Sequence, residues 1–131
     1  DSNGTRAIVI STLEAALYVL RRDGECWLVD DRVHLSGRPT SGVLSPDGNL
    51  VALAIPGRVL KTPRGSGKPI IHGSKRQAGD RRDTVSLVSL TDWREVDVIE
   101  VCEGPRHLLW TNQGSTIVAA CSSNGQIIFV D

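Results

Sequence analysis

Short apolar runs, each followed by turn residues, make up most of the chain. These runs lie near 7–10, 15–20, 25–30 and, more weakly, 33–36, then near 41–45, 50–55, 84–90 and 94–101, and finally near 107–111, 116–121 and 126–131. Runs of this length, rich in Val, Ile and Leu and bounded by Gly, Pro, Asn and Asp, are typical of β-strands. The pattern therefore predicts an all-β chain.

The turn residues between the runs indicate tight hairpins. Asp23-Gly24, Asp47-Gly48 and Asn124-Gly125 tolerate the positive φ that such turns need, and Pro46 presets the backbone before Asp47. One stretch, 11–22, also fits a helix that begins at Ser11. We predict a strand there, because the aligned residues of a repeat described next read as a strand.

The chain repeats itself. Residues 7–30 align with residues 108–131 without a gap, and residues 42–54 match 108–120 with one slip. The repeat predicts three units, at 7–38, 39–103 and 104–131, each long enough for four short antiparallel strands. Such a unit is one blade of a propeller.

The stretch 103–131, EGPRHLLWTNQGSTIVAACSSNGQIIFVD, resembles a blade of the YVTN-type and WD-repeat-like propellers. SPDGNLVALA, at 45–54, is similar to the same pattern. The resemblance implies four-stranded antiparallel blades. No Trp-Asp or Gly-His dipeptide is present, so the polar network of strict WD repeats is not carried over. Because propellers have four or more blades, we expect a portion of an incomplete ring whose last unit lacks its outer strand, and whose partners include the remaining blades of a longer chain.

Charge is unevenly distributed although 15 basic and 15 acidic residues cancel. Residues 58–83 carry eight Lys and Arg against Asp80 and Asp83, together with many Gly and Ser. This composition predicts a basic loop inserted in the second unit, and the alternative is a solvated loop with no specific partner. The candidate partner-binding residues are the exposed tryptophan expected at Trp93 and the basic residues Lys61, Arg64, Lys68, Lys75, Arg76, Arg81 and Arg82.

Motifs for nucleotide, metal or catalytic chemistry are incomplete. Gly67-Lys68 has Thr62 and Pro69 where a P-loop needs Gly and a hydroxyl residue. Cys26, Cys102 and Cys121 lack metal-ligand spacing, and no activated serine motif accompanies the three histidines. We therefore expect no cofactor, no metal and no catalysis in this segment. The odd cysteine count and the absence of a signal peptide favour an intracellular location, in the cytoplasm or nucleus. No apolar stretch is long enough to cross a membrane.

These observations favour an interaction scaffold that binds other proteins. An alternative is a cofactor-binding or enzymatic YVTN-related propeller whose active residues lie in other blades. A second alternative is an RNA-associated propeller that uses the basic loop.

Overall fold

Ten β-strands form three antiparallel sheets in the computed structural model, which describes residues 4–59, 81–111, 113–123 and 125–130, with only the backbone of 58, 59, 81 and 82. The first sheet contains β1 (Arg6–Ser11), β2 (Ala16–Asp23) and β3 (Cys26–His34). The second contains β4 (Ser41–Leu44), β5 (Leu50–Val59), β6 (Arg81–Ser89) and β7 (Arg94–Glu100). The third contains β8 (Pro105–Trp110), β9 (Ile117–Cys121) and β10 (Ile127–Val130). Within each sheet, strands adjacent in sequence pair antiparallel.

The all-β prediction is confirmed, and the described residues contain no helix. The stretch that could have been a helix, 11–22, holds the end of β1, a turn and most of β2. The weak fourth strand predicted at 33–36 is wrong, because β3 continues through Val33 and His34. A bulge in the pairing of β2 with β3, between Val19 and Leu20, accompanies this long strand.

Both ends of the segment 58–83, predicted from its composition to be an inserted loop, belong to strands. Arg58 and Val59 continue β5, and Arg81 and Arg82 begin β6, with Val59 opposite Arg81 in the ladder. Asp83 belongs to the same strand. Residues 60–80, which include Lys61, Arg64, Lys68, Lys75 and Arg76, lie outside the described part of the chain. The basic loop within that range and its role stay predictions.

An apolar cluster joins the first sheet to the second. Alternate residues of a strand point to opposite faces of its sheet, so one face of each sheet supplies the cluster. Its buried members are Leu17, Val19, Val33 and Leu35 from the first sheet and its following loop, and Val51, Leu53, Ile55 and Val88 from the second. Burial of this size, at about 1.5–3 kcal/mol for each large side chain, fixes the two sheets face to face.

A second cluster joins the other face of the second sheet to the third. It contains Ala52, Val85, Trp110 and Ile117, and the Trp110 Nε1–H donates to the carbonyl of Val43 at 3.2 Å. Trp110 is thus an inter-sheet packing residue, whereas Trp27 is 45% exposed. The far face of the third sheet leaves Leu109, Ile127 and Phe129 exposed.

Strand direction distinguishes the first sheet from the third. β8 runs like β4, since its Trp110 end bonds Val43 and the following Gly114 lies against Pro46 of the β4–β5 turn. β1 runs the opposite way. Arg6, at its start, lines the same cavity as that turn, and Thr12, just after its end, donates to the carbonyl of Pro39 before β4. By direction and sheet order, β1 therefore corresponds to β5, and the gap-free alignment of 7–30 on 108–131 is displaced by one strand.

Replacing residues 60–80 by an Asn-Gly turn should leave the urea midpoint of unfolding unchanged or slightly raised. Val59 and Arg81 are already paired, so a two-residue turn can close the hairpin. The entropic cost of closing a loop also decreases as the loop shortens, by about 0.6 kcal/mol of free energy for each halving of its length. A matched replacement of 56–83, which removes the end of the ladder, should be destabilising. If the first replacement lowers the midpoint as much as the second, the insertion boundary is wrong.

Candidate functional site

The candidate site is a cavity of about 830 Å³ between the first and second sheets. Its lining includes residues of the two turns, between β4 and β5 and between β6 and β7. Its lining is apolar along the strands, with Ile8, Ile10, Val19, Val43, Leu44, Val51 and Leu90, and polar at one end, with Arg6, Ser45, Asp47, Asn49 and Thr91. A mostly apolar cleft with a few convergent polar groups is the usual form of a ligand site.

The polar end is built on the β4–β5 turn. The Ser45 hydroxyl donates to Asp47 Oδ1 at 2.5 Å, and the Asn49 side chain donates to Asp47 Oδ2 at 2.9 Å. The backbone N–H of Asn49 donates to Asp47 Oδ1 at 3.2 Å, and Gly48 supplies the positive φ, 75°, that closes the turn. Asp47 is thus held in a fixed orientation by its own turn.

These bonds lower the pKa of Asp47, with the Ser45 hydroxyl as the largest cause and the amides of Asn49 next. A depressed carboxyl pKa means that the turn is stabilised above the pKa of the unfolded chain. That stabilisation is lost as the pH falls through the lowered pKa. Asp47 is therefore ionised at neutral pH and is one of the residues that line the cavity.

Trp93 also lines this cavity. Its backbone has a φ of 53°, which is uncommon for a residue with a side chain. The turn before it is held by the Ser89 Oγ, which accepts from the N–H groups of Thr91 and Asp92 at 3.3 and 3.1 Å. Trp93 was expected to be exposed, but it is half-buried and packs on the cluster between the first two sheets. Its role as a partner-binding residue stays a prediction.

A smaller cavity of about 450 Å³ lies at the other end of the sheets, between the second and the third. Arg106, His107, Ser122 and Ser123 line it. Beside it, the Asp83 carboxylate accepts from the Gly57 N–H at 2.5 Å and from the Gly104 N–H at 2.6 Å. Asp83, assigned by sequence to the basic loop, therefore joins β6 to the segment that leads into β8.

The other candidates from the sequence are not brought together. Arg81 and Arg82 lie in β6, and the five remaining basic residues fall outside the described residues. Cys102 and Cys121 form a disulfide with Cα atoms 6.0 Å apart, and Cys26 is free and exposed. Across 4–59 and the described residues after 80, no cluster of His, Cys, Asp and Glu could hold a metal ion. Within the same residues, no helix is long and apolar enough to cross a membrane.

Sequence reasoning missed Arg6, Asp47, Asn49 and Thr91 as a group. The Ser-Pro-Asp-Gly turn at 45–48 was the available signal, but it predicts only a hairpin. Arg6 and Thr91 line the same cavity as this turn because separate strands pack together, and no local sequence pattern indicates that packing.

The fold is all-β, with antiparallel sheets of three or four strands stacked face to face, and is consistent with part of a β-propeller. It matches a putative 6-phosphogluconolactonase of Bacteroides fragilis with a TM-score of 0.68 and 17% identity, over 98% of this chain and 32% of that one. A putative 6-phosphogluconolactonase of Bacteroides uniformis matches with a TM-score of 0.64 and 18% identity, over 97% and 33%. Kuenenia stuttgartiensis hydrazine synthase matches with a TM-score of 0.67 and 16% identity, over 98% and 31%.

This chain therefore spans about a third of each of these structures. The sequence matches no protein-family model and no curated protein. A likeness at this identity shows the fold and does not identify the repeats as WD or YVTN repeats.

The prediction that the segment is not an enzyme is wrong, because the proteins that share its fold are named as enzymes. The physical reason is that different parts of a propeller-like structure determine the fold and carry the reactive groups. Its strands fix the fold while its turns are free to carry reactive groups, so a missing local motif does not exclude catalysis.

Proposed function

We propose that this chain is part of an enzymatic β-propeller that acts on a cyclic ester of a phosphorylated sugar. The observation that supports it is the match of almost the whole chain to two proteins named as putative 6-phosphogluconolactonases. The proposal takes the enzymatic alternative in preference to the scaffold that the sequence favoured.

The polar end of the 830 Å³ cavity supplies groups suited to such a substrate. Arg6 carries a permanent positive charge, which favours a phosphate or carboxylate group. Asp47 is an ionised carboxylate that can accept a hydrogen bond from a sugar hydroxyl or take a proton from water. Hydrolysis of the ring ester adds water to the carbonyl carbon and breaks the bond to the ring oxygen, giving a carboxylate and a hydroxyl.

Asp47→Asn should reduce hydrolysis of 6-phosphogluconolactone by the protein about 100-fold or more if the carboxylate acts as a base. The measurement is proton release followed in weakly buffered solution, corrected for spontaneous hydrolysis of the lactone. Asn keeps the size of the side chain and one acceptor oxygen, so the turn should persist.

Asp97→Asn is the matched control, since Asp97 is an exposed carboxylate on β7 away from the cavity. It should hydrolyse the lactone at the unaltered rate. Equal rates for the two variants would exclude Asp47 from the reaction, and an unaltered protein no faster than buffer would exclude this substrate.

A further inference from the structure

The outer edge of the first sheet is an exposed strand whose first half has no charged side chain. Residues 26–29 of β3 read CWLV. Trp27 and Leu28 are each 45% exposed, and Val29 is 63% exposed. By contrast β7, REVDVIE, at the outer edge of the second sheet, has charged residues at four of its seven positions. Charges on an edge strand oppose pairing with another chain, so this half of β3 lacks the protection that β7 has.

The backbone of β3 presents hydrogen-bonding groups along this edge. In an antiparallel sheet the N–H and C=O of a residue point to one side of the strand, and those of the next residue point to the other side. The Arg22 N–H donates to the Thr5 carbonyl at 2.8 Å, so the Arg22 backbone faces β1 and not β3. Trp27 lies opposite Arg22 in the pairing of β2 with β3. The backbone groups of Trp27, and of Val29 two residues later, therefore point outward, where the described part of the chain places no further strand.

The apolar run is complementary to a second copy of itself. Two identical strands that pair antiparallel are related by a twofold axis, so one residue lies opposite its own copy. With the axis at Trp27, the outward backbone groups of the two Trp27 residues bond each other. Cys26 then lies opposite Leu28 of the second copy, and Val29 lies opposite Glu25. Within 25–29 no two charged residues face each other in this register.

Charge selects this register over the next one. An axis at Leu28 also aligns outward backbone groups, since Trp27 would lie opposite Val29 of the second copy. That axis would also place Glu25 opposite Asp31, and like charges directly opposite each other are destabilising. The axis at Trp27 avoids this repulsion and keeps the apolar run paired with itself.

We propose that two copies of this chain form a symmetric dimer in which residues 25–29 of the two β3 strands pair antiparallel about Trp27. Recognition is strand addition, in which backbone hydrogen bonds supply affinity. Pairing also removes part of the apolar surface of residues 26–29 from water. Residues 25–29 do not line the 830 Å³ cavity, so the dimer leaves the proposed reaction site open and does not depend on the proposed function.

Amide hydrogen exchange of the unaltered chain at low and high protein concentration tests the pairing. We expect exchange at Trp27 and Val29 to slow about tenfold or more at the higher concentration, because their N–H groups become bonded. Exchange at Leu28, whose backbone faces β2, should not change. Sedimentation velocity should show conversion of monomer to dimer over the same range. A chain that is monomeric throughout would overturn the proposal, as would protection that does not alternate along 27–29.

Charge substitutions at Trp27 test the register. Trp27→Lys and Trp27→Glu each place like charges opposite each other across the axis, so each variant alone should stay monomeric. An equimolar mixture should form dimers, because the two introduced charges are then opposite in sign. Both changes are made at a side chain that is 45% exposed, and circular dichroism checks that each variant is folded.

Phe129→Lys is the control, because it introduces a charge on β10, the exposed edge strand of the third sheet. This variant should form dimers as the unaltered chain does. A monomeric Phe129→Lys variant would place the contact on β10 and overturn the proposal. A mixture of the two Trp27 variants that stays monomeric would overturn it as well.

Discussion

Val51→Asp should destabilise the chain by about 3–5 kcal/mol, the range for an uncompensated buried charge. Val51 is 3% exposed, lies between Leu44 and Val88 in the ladder, and contacts the cluster that joins the first two sheets. A carboxylate there would be buried among the apolar side chains of this cluster, and the stability of a whole domain is only about 5–15 kcal/mol. We expect the variant to be largely unfolded at 25 °C, as measured by circular dichroism and urea titration.

Val9→Asp is the matched control, because it makes the same change in a strand where the side chain is 46% exposed. Its free energy of unfolding should change by less than about 1 kcal/mol, as is usual for substitutions at the surface. If Val51→Asp behaves like Val9→Asp, the face of β5 assigned to the core is wrong.

Asp83→Ala should lower the free energy of unfolding by about 2–4 kcal/mol. The Asp83 carboxylate accepts from two backbone N–H groups, those of Gly57 and Gly104, at 2.5 and 2.6 Å. Hydrogen bonds to a charged group are each worth about 1.5–3 kcal/mol, and alanine leaves both donors without this acceptor. The shift is measured as the change in urea midpoint at constant m-value.

Two further variants separate this role from a general loss of charge. Asp83→Asn keeps one acceptor oxygen and should give an intermediate loss. Asp97→Ala removes an exposed carboxylate from the next strand and should have little effect. A midpoint for Asp83→Ala within error of that for Asp97→Ala would contradict the bridging role of Asp83.

The strands of the second sheet could be predicted closely because their signals are local. The apolar runs near 50–55 and 84–90 predict two strands, and Asp47-Gly48 predicts the turn before the first of them. Each of these signals involves only a few neighbouring residues. At 11–22 a capping pattern also fitted a helix, and comparison with the third unit favoured a strand. The strand is confirmed although that alignment is displaced by one strand, because each run in the repeat is a strand.

The candidate site could not be predicted in the same way. Arg6 and Asp47 come from different sheets, and only the packing of β1 against β4 and β5 places them on one cavity. Asp83 was misassigned for a related reason. Its neighbours in sequence are basic and polar, whereas its hydrogen-bond partners, Gly57 and Gly104, lie far away along the chain.

The sequence by itself determined that the chain is all-β with short antiparallel strands, because period-two apolar runs and turn residues act over a few positions. Only the tertiary structure decided how the units correspond. A local pattern is the same for a first and a second strand, and β1 is assigned to the second place only by its direction relative to β4. That direction is set by burial between sheets, which depends on contacts between residues distant in sequence.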